Sequence, residues 1–553
     1  VLPSIGFGST ITHTGGQLMT FYFPMPEKAT KSKVIYDCEK CGIYKNTKLQ
    51  NPKMEPYIGN KYDGLVIVGD HPSIEDDSKG IPFMNTLATK LRSEAIRNGV
   101  NLVNDAALTY AACCYKKKVT DTQYKCCQNY LYPRLAELKP KLIIACGENA
   151  FKSVMGLKNK IGATKIRNRI VPNYQFNCIV FPILNPNDAG SYNYRFALEQ
   201  DLKRIFGLWK KSYRKRTYVN GLLKKRKILE NIHIQEINTF NGVKEAFKQI
   251  NQLKEVAFDY ETTNVSPYDI FFEATHITFA NHNTAWVIHE SAWANDLSVW
   301  EYLADQMRKV LTNKSILKVI QNSKFEDLVS RNLFGIKYIE NMFCTMLATH
   351  VVDERRGCTS LDFQNLMRFG IPPYSDTVKA FLQFKDKDDL QNRIREAPHD
   401  DLITYAGLDG ITTYHNYLVL NNELLPNVYP KAYDNYRFLL KGHWAFANMT
   451  QRGIPIGEKE FSEFEATLDK EMEKVVKEII SIPEFIQYNE FLAEQNEVVK
   501  KSKGDDTIKT MLLNTKPKKG NEKDNDRIIE TNRHINSPSK KSTKSSRRKI
   551  SFN

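Results

Sequence analysis

Three short stretches hold residues whose types and spacing suit chemistry better than packing. In "VAFDYETTN" (256–264), Asp259 and Glu261 stand two residues apart inside an apolar, strand-like run. Side chains alternate along a strand, so Val256, Phe258 and Tyr260 share one face, and Ala257, Asp259 and Glu261 share the other. The first face reads as core. The second sets two carboxylates beside a small residue that leaves room next to them, and such carboxylates cost stability unless something pairs with them. "VIQNSKFEDL" (319–328) presents Glu326 and Asp327 after a short apolar strand. "YAGLDGITTYHNY" (405–417) presents Tyr405 and Asp409, four apart and so on one face of a helix. Carboxylate oxygens are the ligands that hard Mg2+ or Mn2+ prefers.

A second set of candidates is made of thiols. Of ten cysteines, eight precede residue 180. A disulfide framework would not cluster this way in a large chain without a secretion signal. "CEKC" (38–41), "AACCYKK" (111–117) and "YKCCQNYLYPRL" (124–135) offer early and later thiolates for Zn2+ or an iron–sulfur cluster. Spacing alone does not decide between the two.

These residues need scaffolds, and 553 residues are too many for one ordinary core. "GLVIVGD" (64–70), "KLIIACG" (141–147) and "CIVFPIL" (178–184) read as buried strands, with an amphipathic helix over 82–99 that stops at Gly99. This is a parallel-sheet α/β pattern. "EVAFDYETT", "HITFANHN" and "TAWVIHE" read as three successive antiparallel strands of a second α/β unit. The expected layout is a disordered leader at 1–32 (Met19 offering an alternative start), a first domain at 33–208 and a basic linker at 209–231. A second domain at 232–425, helices at 426–500 and a disordered basic tail at 501–553 follow.

The net charge of +16 and the basic runs "WKKSYRKRTY" (209–218), "LLKKRK" (222–227) and "KKSTKSSRRK" (540–549) favour a polyanionic partner such as nucleic acid. No apolar run is long enough to span a membrane, and no secretion signal opens the chain. A cytoplasmic location is expected, in a host cell if the source is a phage.

"DYETT", "QNSKFE" and "YAGLD", in this order, resemble the three motifs of the 3′–5′ exonuclease domain attached to family A DNA polymerases, especially phage versions. The resemblance implies an RNase H-like mixed-sheet domain. It also implies catalytic residues Asp259, Glu261, Glu326, Tyr405 and Asp409, the four acids holding two Mg2+ or Mn2+ ions. Asp259 would bridge the ions, Glu261 and Asp409 would complete the tighter site, and Tyr405 would orient the attacking water. Two such ions stabilise both the attacking and the leaving oxygen of a phosphodiester. The family more often has Asp in the second motif; register favours Glu326, with Asp327 as the alternative.

"VIVGDHPSIEDDSKGIPF" (66–83) resembles the first motif of iron–sulfur uracil-DNA glycosylases, and "QNYLYPRLAELKPKLIIACGENAF" (128–151) the segment after their last cysteine. That resemblance implies a 4Fe-4S cluster on Cys38, Cys41, Cys114 and Cys127, with Zn2+ as the alternative and Cys113 and Cys126 as spares. The base-pocket positions depart from the family: Asp70 replaces Glu, Tyr110 replaces an Asn that reads uracil, and Asn185 replaces a His. Phe83, which would stack on a flipped base, is kept, and His71 stands beside Asp70. A DNA-binding module is therefore expected, with little excision. "FLLKGHWAFANMTQRGIPIGEKEFSEFEATL" (438–468) and "HINSPSK" (534–540) resemble the start of a family A polymerase region, and no palm or fingers sequence follows. The expectation is the proofreading part of a phage polymerase, ended by truncation, frameshift or an intervening sequence. It would act on single-stranded 3′ ends or template-primer DNA, with a separate polymerase chain as a further partner. Alternatives are a bifunctional glycosylase and exonuclease, an RNA-trimming exonuclease, or a non-catalytic DNA-binding fragment.

Overall fold

The structure is a computed structural model. It describes residues 8–12, 18–22, 38–43, 54–85, 88–188, 192–384, 389–424, 428–454, 457–484, 486–487 and 490–491. Residues 1–452 form one compact unit and residues 453–553 another. No helix among the described residues is long and apolar enough to cross a membrane.

The segment expected to be a disordered leader contributes two strands, β1 (Gly8–Thr12) and β2 (Leu18–Tyr22), paired antiparallel. The first domain follows with helix α1 (Cys38–Cys41), β3 (Tyr57–Ile58), β4 (Leu65–Gly69), α2 (Ile74–Lys79), α3 (Thr89–Arg97) and β5 (Ala106–Tyr110). Next come α4 (Asp121–Leu138), β6 (Leu142–Cys146), α5 (Glu148–Met155), β7 (Val171–Asn173), β8 (Cys178–Ile183) and α6 (Tyr192–Leu208). The sheet order is β3-β5-β4-β6-β8-β7. Strands β5, β4, β6 and β8 are mutually parallel, and β3 and β7 add antiparallel edges. Every residue of the four parallel strands is buried, as a sheet covered on both faces requires.

Two expectations change here. The helix expected from residue 82 begins at Thr89, because the buried Asp76 carboxylate takes the Asn85 backbone N–H (3.0 Å) and holds the preceding residues in a turn. The "basic linker" is not a tether. Trp209–Tyr213 forms one π-helical turn and α7 (Arg216–Arg226) follows. Trp209, Tyr213, Val219 and Leu223 are buried in the first domain's core, and Lys210, Lys211, Lys224 and Lys225 stay exposed. The dense basic residues hid an amphipathic period.

The second domain contains β9 (His233–Ile237), α8 (Phe240–Ile250), β10 (Glu255–Thr262), β11 (Ala274–Ala280), β12 (Thr284–His289), α9 (Leu297–Leu311) and β13 (Leu317–Ile320). It continues with α10 (Ser323–Phe334), β14 (Met342–Cys344), α11 (Thr345–Val352), α12 (Leu361–Phe369) and α13 (His399–Glu423). Its sheet runs β14-β13-β10-β11-β12-β9-β1-β2. Strand β10 pairs antiparallel with β11 and parallel with β13, so the sheet is mixed.

Helix α14 (Ala432–Arg452), in the segment expected to open a polymerase region, packs against α10 and α11 of the second domain. The Tyr436 hydroxyl accepts the Cys344 N–H at 2.8 Å, and Arg331 donates to Asn448 and Gln451. The other unit contributes α15 (Glu458–Ile480), which has no buried residue. The basic tail at 501–553 lies outside the described residues.

Candidate active site, thiol centre and base pocket

Alternation along β10 works as the residues dictate. Val256, Phe258 and Tyr260 enter one core with Phe247 and Phe279, while Ala257 faces the other core together with residues of α13. Asp259 and Glu261 share the Ala257 side. Strand register places Asp259 opposite Thr278 and Glu261 opposite His276, with an irregularity after Glu261. Such bulges re-aim side chains beside functional sites.

Helix α13 comes unusually close to this face. A Cβ on Gly410 would lie 2.9 Å from Ala280 Cβ and 3.0 Å from Thr278 Cγ2; one on Gly407 would lie 2.6 Å from Ile234 Cγ2. The absence of side chains at these two positions lets Asp409, between them, reach β10. Ligand oxygens of Asp259, Glu261 and Asp409 all lie within 4.8 Å of one another.

Burial and mutual repulsion dominate the electrostatics. Burial, then Asp409, holds the Asp259 carboxyl well above the ordinary range. Glu261 is raised by burial, then by Asp259 and Asp409. Glu326 is raised by burial, then by Asp259 and Glu261, which places it among these acids. Asp409 is pushed up to about 7 by burial, against hydrogen bonds from Tyr374 and Tyr405. Burial also holds the Tyr405 hydroxyl protonated, so it donates to Asp409. Glu326 Oε2 is buried with no hydrogen-bond partner. Repelling carboxylates and an unsatisfied oxygen are what a divalent cation would relieve, and the donor set is all hard oxygen.

Asp327 does not join this group. It forms a buried ion pair with Arg331 at 2.7 Å and accepts the Ile339 N–H at 2.8 Å. Sequence reasoning missed Gly407, Gly410 and Tyr374. The Tyr374 hydroxyl donates to Asp409 Oδ1 at 2.6 Å, across 35 residues of sequence. The two glycines flanking "LD" in "YAGLDG" were a readable sign of close helix approach; nothing local marked Tyr374.

In the first domain, α1 lies against α4, and the Gln123 side chain donates to the Cys41 carbonyl at 3.2 Å. Cys127 on α4 is pushed up to about 12 by burial, with Cys41, Cys114 and Cys38 each adding to the shift. Three separate elements thus bring these four thiols into one neighbourhood. Cys113 points its thiol to the Tyr110 carbonyl (3.5 Å) and receives Arg134 Nη1 (3.8 Å).

The base-pocket candidates gather at the carboxyl ends of the parallel strands, where open α/β sheets place ligands. There, however, they bind one another. Asp70 Oδ1 accepts the Ala150 N–H at the start of α5 (2.7 Å), and Oδ2 accepts Asn185 Nδ2 (3.2 Å). His71 Nδ1 pairs with the Tyr124 hydroxyl at 3.0 Å, and burial lowers its pKa. Phe83 stacks on Tyr110, with ring centroids 4.9 Å apart and planes at 17°. The Tyr110 hydroxyl accepts the Phe83 N–H (3.0 Å) and donates to Asp76 Oδ2 (2.9 Å). Both rings are buried, at 4% and 2% exposure. Phe83, expected to await a flipped base, gives a ring face to Tyr110 instead, because a tyrosine there fills the space a smaller residue would leave.

Comparison with known proteins agrees with both halves. Residues 56–217 match the family described as the uracil DNA glycosylase superfamily, and residues 234–425 match the family described as 3′–5′ exonuclease. The type-4 uracil-DNA glycosylase of Pyrobaculum aerophilum is 28% identical over 131 residues, covering 23% of this chain and 64% of that protein. That of Archaeoglobus fulgidus is 27% identical over 126 residues, covering 22% and 61%. The chain thus spans less than two thirds of either relative. Among solved structures, Brucella melitensis NrnC with bound Mg2+ is similar at 17% identity and TM-score 0.29, covering 40% of this chain and 96% of that one. Escherichia coli RNase D, an exoribonuclease involved in structured RNA processing, is similar at 16% identity and TM-score 0.29, covering 38% and 50%. The chain carries a uracil DNA glycosylase superfamily domain followed by a 3′–5′ exonuclease domain.

Proposed function

We propose that this protein removes nucleotides from DNA 3′ ends in a metal-dependent reaction, of the kind that proofreads for a family A polymerase. The observation that carries the reading is the convergence of Asp259, Glu261 and Asp409 within 4.8 Å, with Glu326 raised by burial and then by Asp259 and Glu261. Asp259, Glu261, Glu326 and Asp409 would hold two Mg2+ or Mn2+ ions. Bound there, the ions supply charge stabilisation for both oxygens of the displaced phosphodiester. The chain's own groups orient and order. Tyr374 and Tyr405 fix the Asp409 carboxylate by hydrogen bonds, and Tyr405, still protonated, serves to align the attacking water.

DNA is favoured as substrate because a glycosylase superfamily domain precedes the nuclease in the same chain. An RNA-trimming reading is kept by the likeness of the motifs, and the test separates them. DNA and RNA strands of equal length and sequence, labelled at the 5′ end, are incubated with Mg2+. A ladder of DNA shortened from the 3′ end supports the proposal; RNA shortening with intact DNA contradicts it.

For the first domain we propose nucleic-acid binding without base excision. Asp70 has both oxygens engaged, and Tyr110 covers Phe83. Exposed Lys210, Lys211, Lys224 and Lys225 add positive charge for phosphates. We propose a 4Fe-4S cluster on Cys38, Cys41, Cys114 and Cys127. Cys41, Cys114 and Cys38 each act on the Cys127 thiol, so one group could be held by all four, and the resemblance to iron–sulfur uracil-DNA glycosylases favours the cluster over zinc. Anaerobically purified protein should be brown, absorbing near about 400 nm. Colourless protein with stoichiometric zinc would contradict the cluster.

A further inference from the structure

Helix α12 serves two domains at once. Phe363, Leu366 and Met367 are buried in a core cluster of the first domain, beside Val66, Val68, Ile143 and Val171. The docking is reinforced by polar contacts. Arg355 Nη1 donates to the carbonyls of Thr164 (3.0 Å) and Arg167 (3.1 Å), and Arg169 pairs with Asp353. Gly370, which ends α12 in a left-handed conformation, sits so near the Pro172 carbonyl that a Cβ would lie 2.2 Å from its oxygen.

Asn365, on the same helix and 1% exposed, turns into the nuclease. Its Nδ2 donates to the Tyr374 hydroxyl (3.2 Å) and to Thr412 Oγ1 (3.0 Å), and its Oδ1 accepts Asn416 Nδ2 (2.7 Å). Tyr374 in turn donates to Asp409 Oδ1 at 2.6 Å. An unbroken series of buried and partly buried contacts therefore runs from the first domain's core, through α12 and Tyr374, to one carboxylate of the acidic site.

We propose that Tyr374 and Asn365 are positioning residues for Asp409, and that docking of α12 on the first domain sets the metal affinity of the nuclease. The first domain is then a structural part of the exonuclease centre as well as a nucleic-acid binder. This rests on the reading that Asp259, Glu261 and Asp409 hold divalent metal. Groups behind a metal ligand commonly change affinity about 10–100-fold when removed. A packing change one helix away acts more weakly, about threefold, because coupling is dissipated through intervening contacts.

The test is Mn2+ binding to the full chain, followed by the loss of the free-ion electron paramagnetic resonance signal, without substrate. Tyr374→Phe should raise the Mn2+ concentration for half occupancy about tenfold while melting temperature and near-ultraviolet dichroism are retained. Met367→Ala should raise it about threefold. Leu202→Ala, a cavity elsewhere in the first domain's core, should leave it unchanged. Unchanged affinity in Tyr374→Phe, or equal shifts in Met367→Ala and Leu202→Ala, overturns the proposal. A parent chain that binds no Mn2+ refutes the metal-site reading beneath it.

Discussion

Gly410→Ala should leave the protein folded and slow the nuclease severely. The added methyl would stand 2.9 Å from Ala280 Cβ and 3.0 Å from Thr278 Cγ2. Carbon atoms rest at about 3.5–4.0 Å, so α13 or the sheet must move by about 0.5–1 Å. Overpacking of this kind costs about 1–3 kcal/mol. Replacing glycine by alanine inside a helix returns about 1 kcal/mol. The net loss, about 0–2 kcal/mol, is tolerable for a domain of this size. Catalysis is less forgiving, because the residue that moves is the neighbour of Asp409. A misplacement near 1 Å costs about 100-fold in rate. The assay pairs a thermal melt with single-turnover release of a 3′-terminal nucleotide. A variant with the parent's rate and a normal melt would refute the claim that close helix approach positions Asp409.

Other outcomes follow from the same geometry. Glu326→Gln should lower the exonuclease rate by about 10–100-fold with little change in melting temperature. Asp327→Asn should instead destabilise the fold by about 3–5 kcal/mol, since it leaves buried Arg331 unpaired; urea melts of both variants separate the roles. Asp409 is held near about 7, so between the ordinary carboxylate range and that value the native state keeps a proton that the unfolded chain has lost. Metal-free protein should therefore lose stability as pH rises through this window, and Mg2+ should raise the melting temperature more at pH 8 than at pH 5.5. DNA carrying one uracil, treated with the protein and then with alkali, should stay intact; efficient cleavage lost on Asp70→Ala would contradict the closed pocket.

Much of the site could be read from local pattern. Strand alternation put Asp259 and Glu261 on one face with Ala257, and helical spacing put Tyr405 beside Asp409. Register favoured Glu326, and Asp327, one residue on, pairs with Arg331 rather than facing the other acids. What escaped depends on contacts distant in sequence. Tyr374 reaches Asp409 only because α12 and α13 pack together. Phe83, in a turn, looked available because its partner, Tyr110, lies 27 residues on, in β5. Fold class was legible from buried apolar strands, yet the edges were not: β3 and β7 are too short to show a period. The segment at 209–226 misled through composition, since its basic residues cover a helix whose buried face is Trp209, Tyr213, Val219 and Leu223.

The most direct test of the acidic centre is release of the 3′-terminal nucleotide from single-stranded DNA, comparing the parent chain with Asp259→Ala. Asp259 belongs to the triad whose ligand oxygens lie within 4.8 Å of one another, so its loss should remove the shared metal ligand without unfolding the strand. With Mg2+ the parent should shorten the strand from its 3′ end, and a chelator should stop it. Asp259→Ala should be inactive at every Mg2+ concentration while retaining DNA binding. Undiminished digestion by Asp259→Ala, or digestion by the parent that a chelator leaves untouched, would contradict the assignment.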